Sequence, residues 1–253
     1  MLGGLLQDED VGMLQHDPAS SPRPLAFPFV AGAWNLERCL SPELSSEVLT
    51  RERVEVALLS ELDSGMARTA QRQTCRAIAG ALEMSCAYGV EFLELDLGNP
   101  VERAFCSDTV NFEGFHGNAL LAPRLGTPFL VRLDDSGHWF GDDSPEARIG
   151  GRCAIGGWLD TEEGPVLAVS AHLESSATPE ERGASFSFLL DLVEREAAGH
   201  PLLLGGDLNT GLGAGGDWRQ EPLLTEAAER GFALQSGDPE QPTTRPSRIT
   251  LNP

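Results

Sequence analysis

The chain has 253 residues, of which 41% are hydrophobic, so it can form one α/β domain with a sizeable core or two small domains. Its net charge of −21 disfavours long duplex DNA as a partner, because nonspecific DNA binding depends on basic side chains that neutralise phosphates. Its apolar runs fall short of the ~20 residues that a membrane helix needs, and its five cysteines contain no Cys-x-x-Cys pair typical of zinc sites.

The first segment of the chain, residues 1–26, is predicted to be a flexible leader. It contains two acidic spots and three prolines and has no clear periodic pattern. Because it starts acidic rather than basic, it does not resemble a secretory signal, and we expect a cytoplasmic location. Residues 27–253 are predicted to form one domain, and the sequence leaves the oligomeric state open.

Apolar periodicity and helix-start signals predict the elements of this domain. In chain order they are a strand at 27–36, a helix opening at Ser41-Pro42, a strand at 54–60, an amphipathic helix at 66–84, strands at 87–96, 117–122 and 127–133, an acidic loop at 134–150, a hairpin of 151–160 and 165–172, a helix from Thr178 to about 198, a strand at 201–205 and a helix at 221–230. This order predicts two mixed sheets packed face to face with helices outside. The pattern alone leaves a doubly wound sheet possible.

Four of the predicted strands run into polar residues at their C-terminal ends. The clearest is Leu202-Leu-Leu-Gly-Gly-Asp-Leu-Asn209, a buried-strand pattern followed by a tight turn that presents Asp207 and Asn209. The other three end in Asn35, Glu61 and His172. A single polar strand end is common, but two carboxylates, two amides and an imidazole together are typical of a site for a hard divalent cation such as Mg²⁺.

In these segments the chain resembles the endonuclease/exonuclease/phosphatase family of metal-dependent phosphoesterases, which includes deoxyribonuclease I-like enzymes. The matching motifs, in order, are Trp-Asn35-Leu-Glu, Leu-Ser-Glu61, Gly117-Asn118-Ala-Leu-Leu, Ser-Ala-His172-Leu-Glu-Ser and Gly-Gly-Asp207-Leu-Asn209-Thr. Their order and rough spacing fit the family across most of the chain. The resemblance implies an α/β (α+β) fold, a four-layer sandwich of two mixed β-sheets covered by helices.

One departure from the family concerns the end of the chain. The family pattern closes with a strand carrying an aspartate and then a Ser-Asp-His motif, whereas no histidine follows His200 here. We therefore expect a domain that is C-terminally incomplete and lacks its last strands. The same departure leaves two functions open, an active hydrolase and a truncated or degenerate member that binds metal or phosphate with little or no turnover.

The resemblance also implies a role for each matching residue. Glu61 is expected to be the main carboxylate ligand of Mg²⁺ or Mn²⁺, with Asn35 beside it. Asp207 and Asn209 are expected to position the nucleophile and the phosphate of a phosphoester substrate. His172 is expected to donate to the phosphoryl oxygens as negative charge builds on them.

Two further residues are candidates for binding the substrate. By the family pattern Asn118 lines the phosphate site. Arg152 stands at the start of a predicted strand, and its planar guanidinium can contact a phosphate through two nitrogens.

Other polar residues in the predicted elements are interpreted structurally. Glu91 and Glu94 are interpreted as charges on a strand face, one of which could orient His172. His116 is assigned a loop role because Gly114 and Gly117 lie close to it in the sequence. The Arg68–Arg76 segment is interpreted as a solvated helix face.

Overall fold

The computed structural model describes residues 13–19, 24–134, 137–139, 147–211 and 218–235. The strands are β1 (Leu14–Asp17), β2 (Ala31–Arg38), β3 (Val56–Ser64), β4 (Ser85–Glu94), β5 (Phe115–Ala122), β6 (Phe129–Arg132), β7 (Gly137–Trp139), β8 (Arg148–Gly150), β9 (Cys153–Thr161), β10 (Gly164–His172) and β11 (Leu202–Asp207). The α-helices are α1 (Pro42–Arg51), α2 (Thr74–Leu82), α3 (Pro100–Arg103), α4 (Pro179–Ala197) and α5 (Pro222–Glu229).

These strands form two mixed sheets. The first has seven strands in the order β2-β3-β5-β4-β8-β7, with β1 also paired to β4, and the second has four in the order β11-β10-β9-β6. β2 runs parallel to β3 and β10 runs parallel to β11, while the other paired strands are antiparallel. The prediction of two mixed sheets is confirmed, and the doubly wound alternative is wrong.

Three apolar clusters show how the layers stack. One lies between the sheets, where Leu58 and Leu120 of the first sheet pack in the same cluster as Ile155 of the second. On the outer face of the first sheet, Ile78 of α2 joins a second cluster. On the outer face of the second sheet, Leu189 of α4 belongs to a third. The order is therefore helices, sheet, sheet, helices, and the predicted four-layer sandwich is confirmed.

Helix-start signals located two of the helices well. Thr178 caps α4 through a reciprocal capping box with Glu181, and proline occupies the first turn of both α1 and α4. Among the described residues, none of the helices combines the length and apolar character that crossing a lipid bilayer requires.

The single helix predicted at 66–84 is wrong. Residues 67–69 form a short 3₁₀ turn, and α2 begins only at Thr74. Between them Ala70 and Gln71 adopt left-handed backbone angles, with φ of 54° and 59°, which a continuous helix cannot contain. The periodic pattern of the sequence hid this interruption because alanine and glutamine are both ordinary helix residues.

Two segments predicted without regular structure contain short strands. Leu14–Asp17 lies inside the predicted leader, yet it forms β1 and pairs antiparallel with β4. The predicted loop 134–150 contains β7 and β8, which pair with each other, and residues 135–136 and 140–146 of it lie outside the described residues. These short strands depend on distant partners, so local sequence patterns do not reveal them. The wider division into leader and domain stays a prediction.

Candidate active site

Two parallel strand pairs, one from each sheet, meet at the candidate site, where His172 and Asp207 end their strands while Asn35 and Glu61 each stand three residues before the end of theirs. β2 and β3 bring Asn35 and Glu61, and β10 and β11 bring His172 and Asp207. The Asn35 side chain connects the two sheets, since its Nδ2 donates to Glu61 Oε1 at 2.9 Å and to Asp207 Oδ2 at 2.8 Å. The structure therefore brings together the residues that the sequence predicted to converge.

A β-bulge directs Glu61 toward the site. On β3, Ser60 and Glu61 lie opposite the single residue Asn118 of β5, because the register shifts between Leu59 and Leu62. Glu61 also has a left-handed backbone, with φ of 58°. Such conformations cost on the order of 1–3 kcal/mol in non-glycine residues and persist only where the surrounding structure imposes them. The fold thus holds Glu61 in a direction that a regular strand would not give it.

His172 is held from behind by Glu91. The imidazole Nδ1 lies 3.1 Å from Glu91 Oε2, and Nε2 lies 3.9 Å from Asp207 Oδ2. Both His172 and Glu91 are buried. Because Nδ1 faces Glu91, Nε2 is the ring atom directed to Asp207. Of the two strand-face glutamates considered from the sequence, Glu91 is the one that orients His172.

The substrate-binding candidates Arg152 and Asn118 also surround Glu91. Arg152 Nη1 lies 3.3 Å from Glu91 Oε2 and 3.0 Å from His172 Nδ1, and its Nε donates to Glu174 Oε2 at 2.9 Å. Asn118 is fully buried, and its Nδ2 donates to Glu91 Oε1 at 3.0 Å. Both residues therefore support the carboxylate behind His172, and the phosphate contacts expected of them stay predictions.

Asp207 and Asn209 form a tight turn at the end of β11. The Asn209 amide N–H donates to Asp207 Oδ1 at 3.0 Å, and Asn209 Nδ2 donates to the Leu173 carbonyl at 2.8 Å. Asn209 has a φ of 50°, a left-handed conformation that asparagine tolerates better than most residues. This turn fixes Asp207 beside the end of β10. The catalytic roles of Asp207, Asn209 and His172 stay predictions.

A buried ionic network lies behind Glu61, and the sequence did not predict it. We call it the Arg38–Arg68 network. Its members are Arg38, Asp63, Arg68, Glu94, Glu102 and His116, all of them buried. Arg68 donates to both oxygens of Asp63, at 2.7 and 2.9 Å, and to both oxygens of Glu94, at 2.8 and 2.9 Å. The interpretation of Arg68 as part of a solvated helix face is wrong.

Arg38 connects this network to Glu61. Its Nη1 donates to Glu61 Oε2 at 2.7 Å and its Nε donates to Glu102 Oε1 at 2.8 Å. Burial alone would raise the pKa of Glu61, but the Arg38 guanidinium, helped by nearby His116 and His172 and by the Asn35 amide, brings that pKa below its usual range. Glu61 is therefore ionised and negatively charged at neutral pH.

His116 is a strand residue of this network rather than a loop residue, so its predicted role is wrong. It lies in β5, and its Nδ1 is 2.9 Å from Asp63 Oδ1. One signal in the sequence pointed to the network, namely Glu94 in the largely uncharged strand β4. Charged residues in a strand that is buried on both faces need buried partners. The identity of those partners depends on contacts between distant segments.

The comparisons with known proteins address the fold. Neither the known protein-family models nor the curated proteins contain a match to this sequence. Among solved structures, an endonuclease/exonuclease/phosphatase from Beutenbergia cavernae is similar with a TM-score of 0.50 and 18% identity, over 71% of this chain and 47% of that one. This chain thus spans about half the length of that protein.

Two further solved structures are similar at lower scores. The human Nocturnin catalytic domain gives a TM-score of 0.49 at 16% identity, over 85% of this chain and 72% of that one. The Caenorhabditis elegans TDP2 structure gives 0.44 at 15% identity, over 81% and 50%. The Beutenbergia structure supports the fold, and the endonuclease/exonuclease/phosphatase fold implied by the sequence motifs is confirmed.

Proposed function

We propose that this chain is a phosphoester hydrolase that works with Mg²⁺ or Mn²⁺. The observation that carries the proposal is the contact of Asn35 Nδ2 with Glu61 Oε1 and Asp207 Oδ2, which joins two carboxylates from different sheets at one point. His172 and its supporting Glu91 stand next to Asp207. The same fold in an endonuclease/exonuclease/phosphatase from Beutenbergia cavernae is consistent with this reaction class.

The residues present fit a small hard cation that keeps much of its water. Two carboxylate oxygens converge on one amide, so this point already favours positive charge. Within the described ranges, no cluster of three or more His, Cys, Asp and Glu side chains is arranged to hold a metal ion. Mg²⁺ needs no such cluster, because it commonly binds one or two protein carboxylates together with waters and substrate oxygens. Glu61 and Asn35 are the ligands we assign. Asn35 would ligate through Oδ1 after its amide turns over, because Nδ2 now faces the two carboxylates and Oδ1 accepts from the Glu37 backbone N–H at 2.9 Å.

The cation, when bound, polarises a phosphoryl oxygen and lowers the pKa of a bound water. In this proposal Asp207 accepts a hydrogen bond from the attacking water and so orients it. His172 Nε2 donates to a phosphoryl oxygen and stabilises its growing negative charge. Glu91 and Arg152 fix the orientation of the ring, and the Asn209 turn holds Asp207 in place.

The charge of the chain favours a small or weakly charged phosphoester over long duplex DNA. With a net charge of −21, most of the surface repels a polyanion, and binding to duplex DNA gains much of its affinity from basic residues. The site arginines Arg38, Arg68 and Arg152 are already paired with carboxylates. The substrate class that we assign is therefore a compact phosphodiester or phosphomonoester.

The alternative is a member of this fold that binds a cation or phosphate but turns over little substrate. One observation in the described residues favours it. Arg38 separates His116, the other buried histidine near Glu61, from that carboxylate, because Arg38 Nη1 donates to Glu61 Oε2 and lies 3.5 Å from His116 Nε2. The two functions differ in turnover and agree in cation binding.

Hydrolysis of bis-p-nitrophenyl phosphate with Mg²⁺ or Mn²⁺ tests the proposal. We expect slow, cation-dependent turnover that falls by roughly 10²-fold or more in His172→Ala, since donors to a developing oxyanion typically contribute that much. His200→Ala is the matched control, because His200 is exposed and packs edge-on against Trp158. Cation binding without turnover would favour the alternative. Equal turnover in the wild type and His172→Ala would refute the assigned mechanism.

A further inference from the structure

The two carboxylate oxygens of Glu61 have different partners. Oε1 accepts from Asn35 Nδ2 at 2.9 Å, on the side that faces Asp207. Oε2 accepts from Arg38 Nη1 at 2.7 Å, on the side of the buried network. A hydrogen bond between a guanidinium and a carboxylate at this distance is among the stronger ones in proteins. Oε1 is thus held by a neutral amide that a cation beside Asn35 can displace, whereas Oε2 is held by the guanidinium of Arg38.

Arg38 cannot easily leave Glu61, because it is fixed from behind. Its Nε donates to Glu102 Oε1 at 2.8 Å, and the same oxygen accepts from Arg68 Nη1 at 3.0 Å. The Arg38 residue is only 6% exposed and Glu102 is fully buried. Moving the guanidinium away would leave buried charges without partners, which is strongly unfavourable.

The backbone adds a second restraint on Glu61. Its left-handed φ of 58° and the bulge opposite Asn118 set the direction in which the side chain leaves β3. Because its backbone is fixed and its Oε2 is held by Arg38, the Glu61 carboxylate cannot readily rotate to present both oxygens to one ion. The restraint applies equally to any cation that approaches from the Asn35 side.

Resting on the proposed function, we propose that Arg38 limits Glu61 to one ligand oxygen and thereby makes the site select Mg²⁺ or Mn²⁺ over Ca²⁺. Ca²⁺ takes six to eight oxygen ligands and often binds both oxygens of a carboxylate. Mg²⁺ prefers octahedral coordination with single carboxylate oxygens and several waters. Arg38 is therefore a specificity-determining residue that acts through Glu61 rather than by touching the cation.

Calorimetric titration of the full chain with Mn²⁺ and with Ca²⁺ tests this proposal. The measured quantity is the ratio of the Ca²⁺ dissociation constant to the Mn²⁺ dissociation constant. In Arg38→Gln, Oε2 is released from the guanidinium, and we expect the ratio to fall roughly tenfold, the equivalent of one charged hydrogen bond. Arg230→Gln is the matched control. Arg230 also pairs with carboxylates, here Asp191, Glu194 and Glu226, but it lies at the C-terminal end of α5, so the ratio in this variant should not change.

A second variant keeps the proposal testable if Arg38→Gln does not fold. Arg38→Gln combined with Glu102→Gln removes one positive and one negative buried charge, so the charge balance of the network is kept. Circular dichroism establishes which variants fold. The wild type alone gives a further test, because we expect it to bind Mn²⁺ at least roughly tenfold more tightly than Ca²⁺.

Each outcome decides a different claim. A lowered ratio in the Arg38 variants, with an unchanged ratio in Arg230→Gln, supports the assignment of Arg38. Equal ratios in the wild type and the Arg38 variants overturn it while leaving the proposed cation site intact. A wild type that binds both cations equally well also overturns it. A wild type that binds neither cation refutes the proposed function together with this inference.

Discussion

The two halves of the candidate site are supported differently. Glu61, on the first sheet, stands on β3 between β2 and β5, and buried charged residues form the layer behind it. Asp207, on the second sheet, stands on β11, which pairs only with β10 in the described part of the chain and is half-buried at all six residues. The charged residues behind the proposed cation ligand are therefore all buried, whereas the strand that carries the residue proposed to orient the water is half-buried along its length.

This difference separates two kinds of role. Changes to the Arg38–Arg68 network should act mainly on stability and cation binding, because these charges lie inside the protein and touch Glu61. Changes around His172 should act mainly on turnover, because Glu91 and Arg152 hold the ring without contacting Glu61 through any of the hydrogen bonds described above. Stability and kinetic measurements on variants of each half therefore test this division of roles.

The largest expected effect is on stability, from Arg68→Met. This change leaves Asp63 and Glu94 buried without their guanidinium partner, and breaking a buried ion pair in this way typically costs about 3–5 kcal/mol. Urea unfolding measures the change in the free energy of unfolding. Arg51→Met is the control, since the exposed pair of Arg51 with Glu52 should contribute under about 1 kcal/mol. Similar losses of unfolding free energy in both variants would mean that the buried network contributes no more to stability than a surface ion pair does.

A smaller effect, on turnover, is expected from Glu91→Gln. Glutamine keeps the shape but removes the charge that holds His172 Nδ1 at 3.1 Å, so kcat should fall roughly 10²-fold while Mn²⁺ affinity stays within about twofold. Steady-state kinetics and calorimetry on the same preparation measure both quantities. A parallel loss of kcat and cation affinity would show that the two halves of the site are not separable.

The smallest expected effect is on the pH dependence of stability. Burial alone would raise the pKa of Glu94, but Arg68 and Arg38 lower it to about 2. Burial likewise opposes the effect of Arg152 on Glu174, whose pKa is also lowered to about 2. Because both pKa values are depressed on folding, these carboxylates stabilise the protein above their unfolded pKa of about 4.3, and that contribution is lost as the pH falls toward about 2.

Two variants measure this pH dependence separately for each half of the site. Glu94→Gln changes the network behind Glu61, and Glu174→Gln changes the pair with Arg152 beside His172. Each variant should show a shallower loss of unfolding free energy between about pH 4.3 and 2 than the wild type, because one titrating carboxylate is gone. The change should be larger for Glu94→Gln, since the Glu174 side chain is 25% exposed and water screens its pair with Arg152. Urea unfolding at several pH values measures the slopes. A larger change for Glu174→Gln would contradict the comparison.

The sequence predicted those parts of the fold that depend on local pattern. β9 and β10 form the hairpin predicted at 151–160 and 165–172, and α4 begins at Pro179, directly after the predicted start at Thr178. The ordered motifs also predicted the meeting of Asn35, Glu61 and Asp207. Each of these signals is contained in a few consecutive residues, so it can be recognised without knowledge of the tertiary structure.

The sequence could not predict features that depend on distant partners. β1 exists because it pairs with β4, some 70 residues later. Arg68 looks like a solvated helix residue until Asp63, Glu94 and Glu102 are brought around it by three separate segments. Burial of a charged side chain depends on whether such partners assemble, and a single sequence carries little record of that.

The most direct test of the account is calorimetric titration of Mn²⁺ into the wild type and Glu61→Gln. Glutamine keeps the shape of the side chain and removes the charge assigned to the cation, so we expect the Mn²⁺ dissociation constant to rise at least roughly tenfold. Glu43→Gln, which removes a surface carboxylate paired with Arg72, should bind Mn²⁺ like the wild type. Equal Mn²⁺ affinity in the wild type and Glu61→Gln would contradict the central claim that this site binds a divalent cation through Glu61.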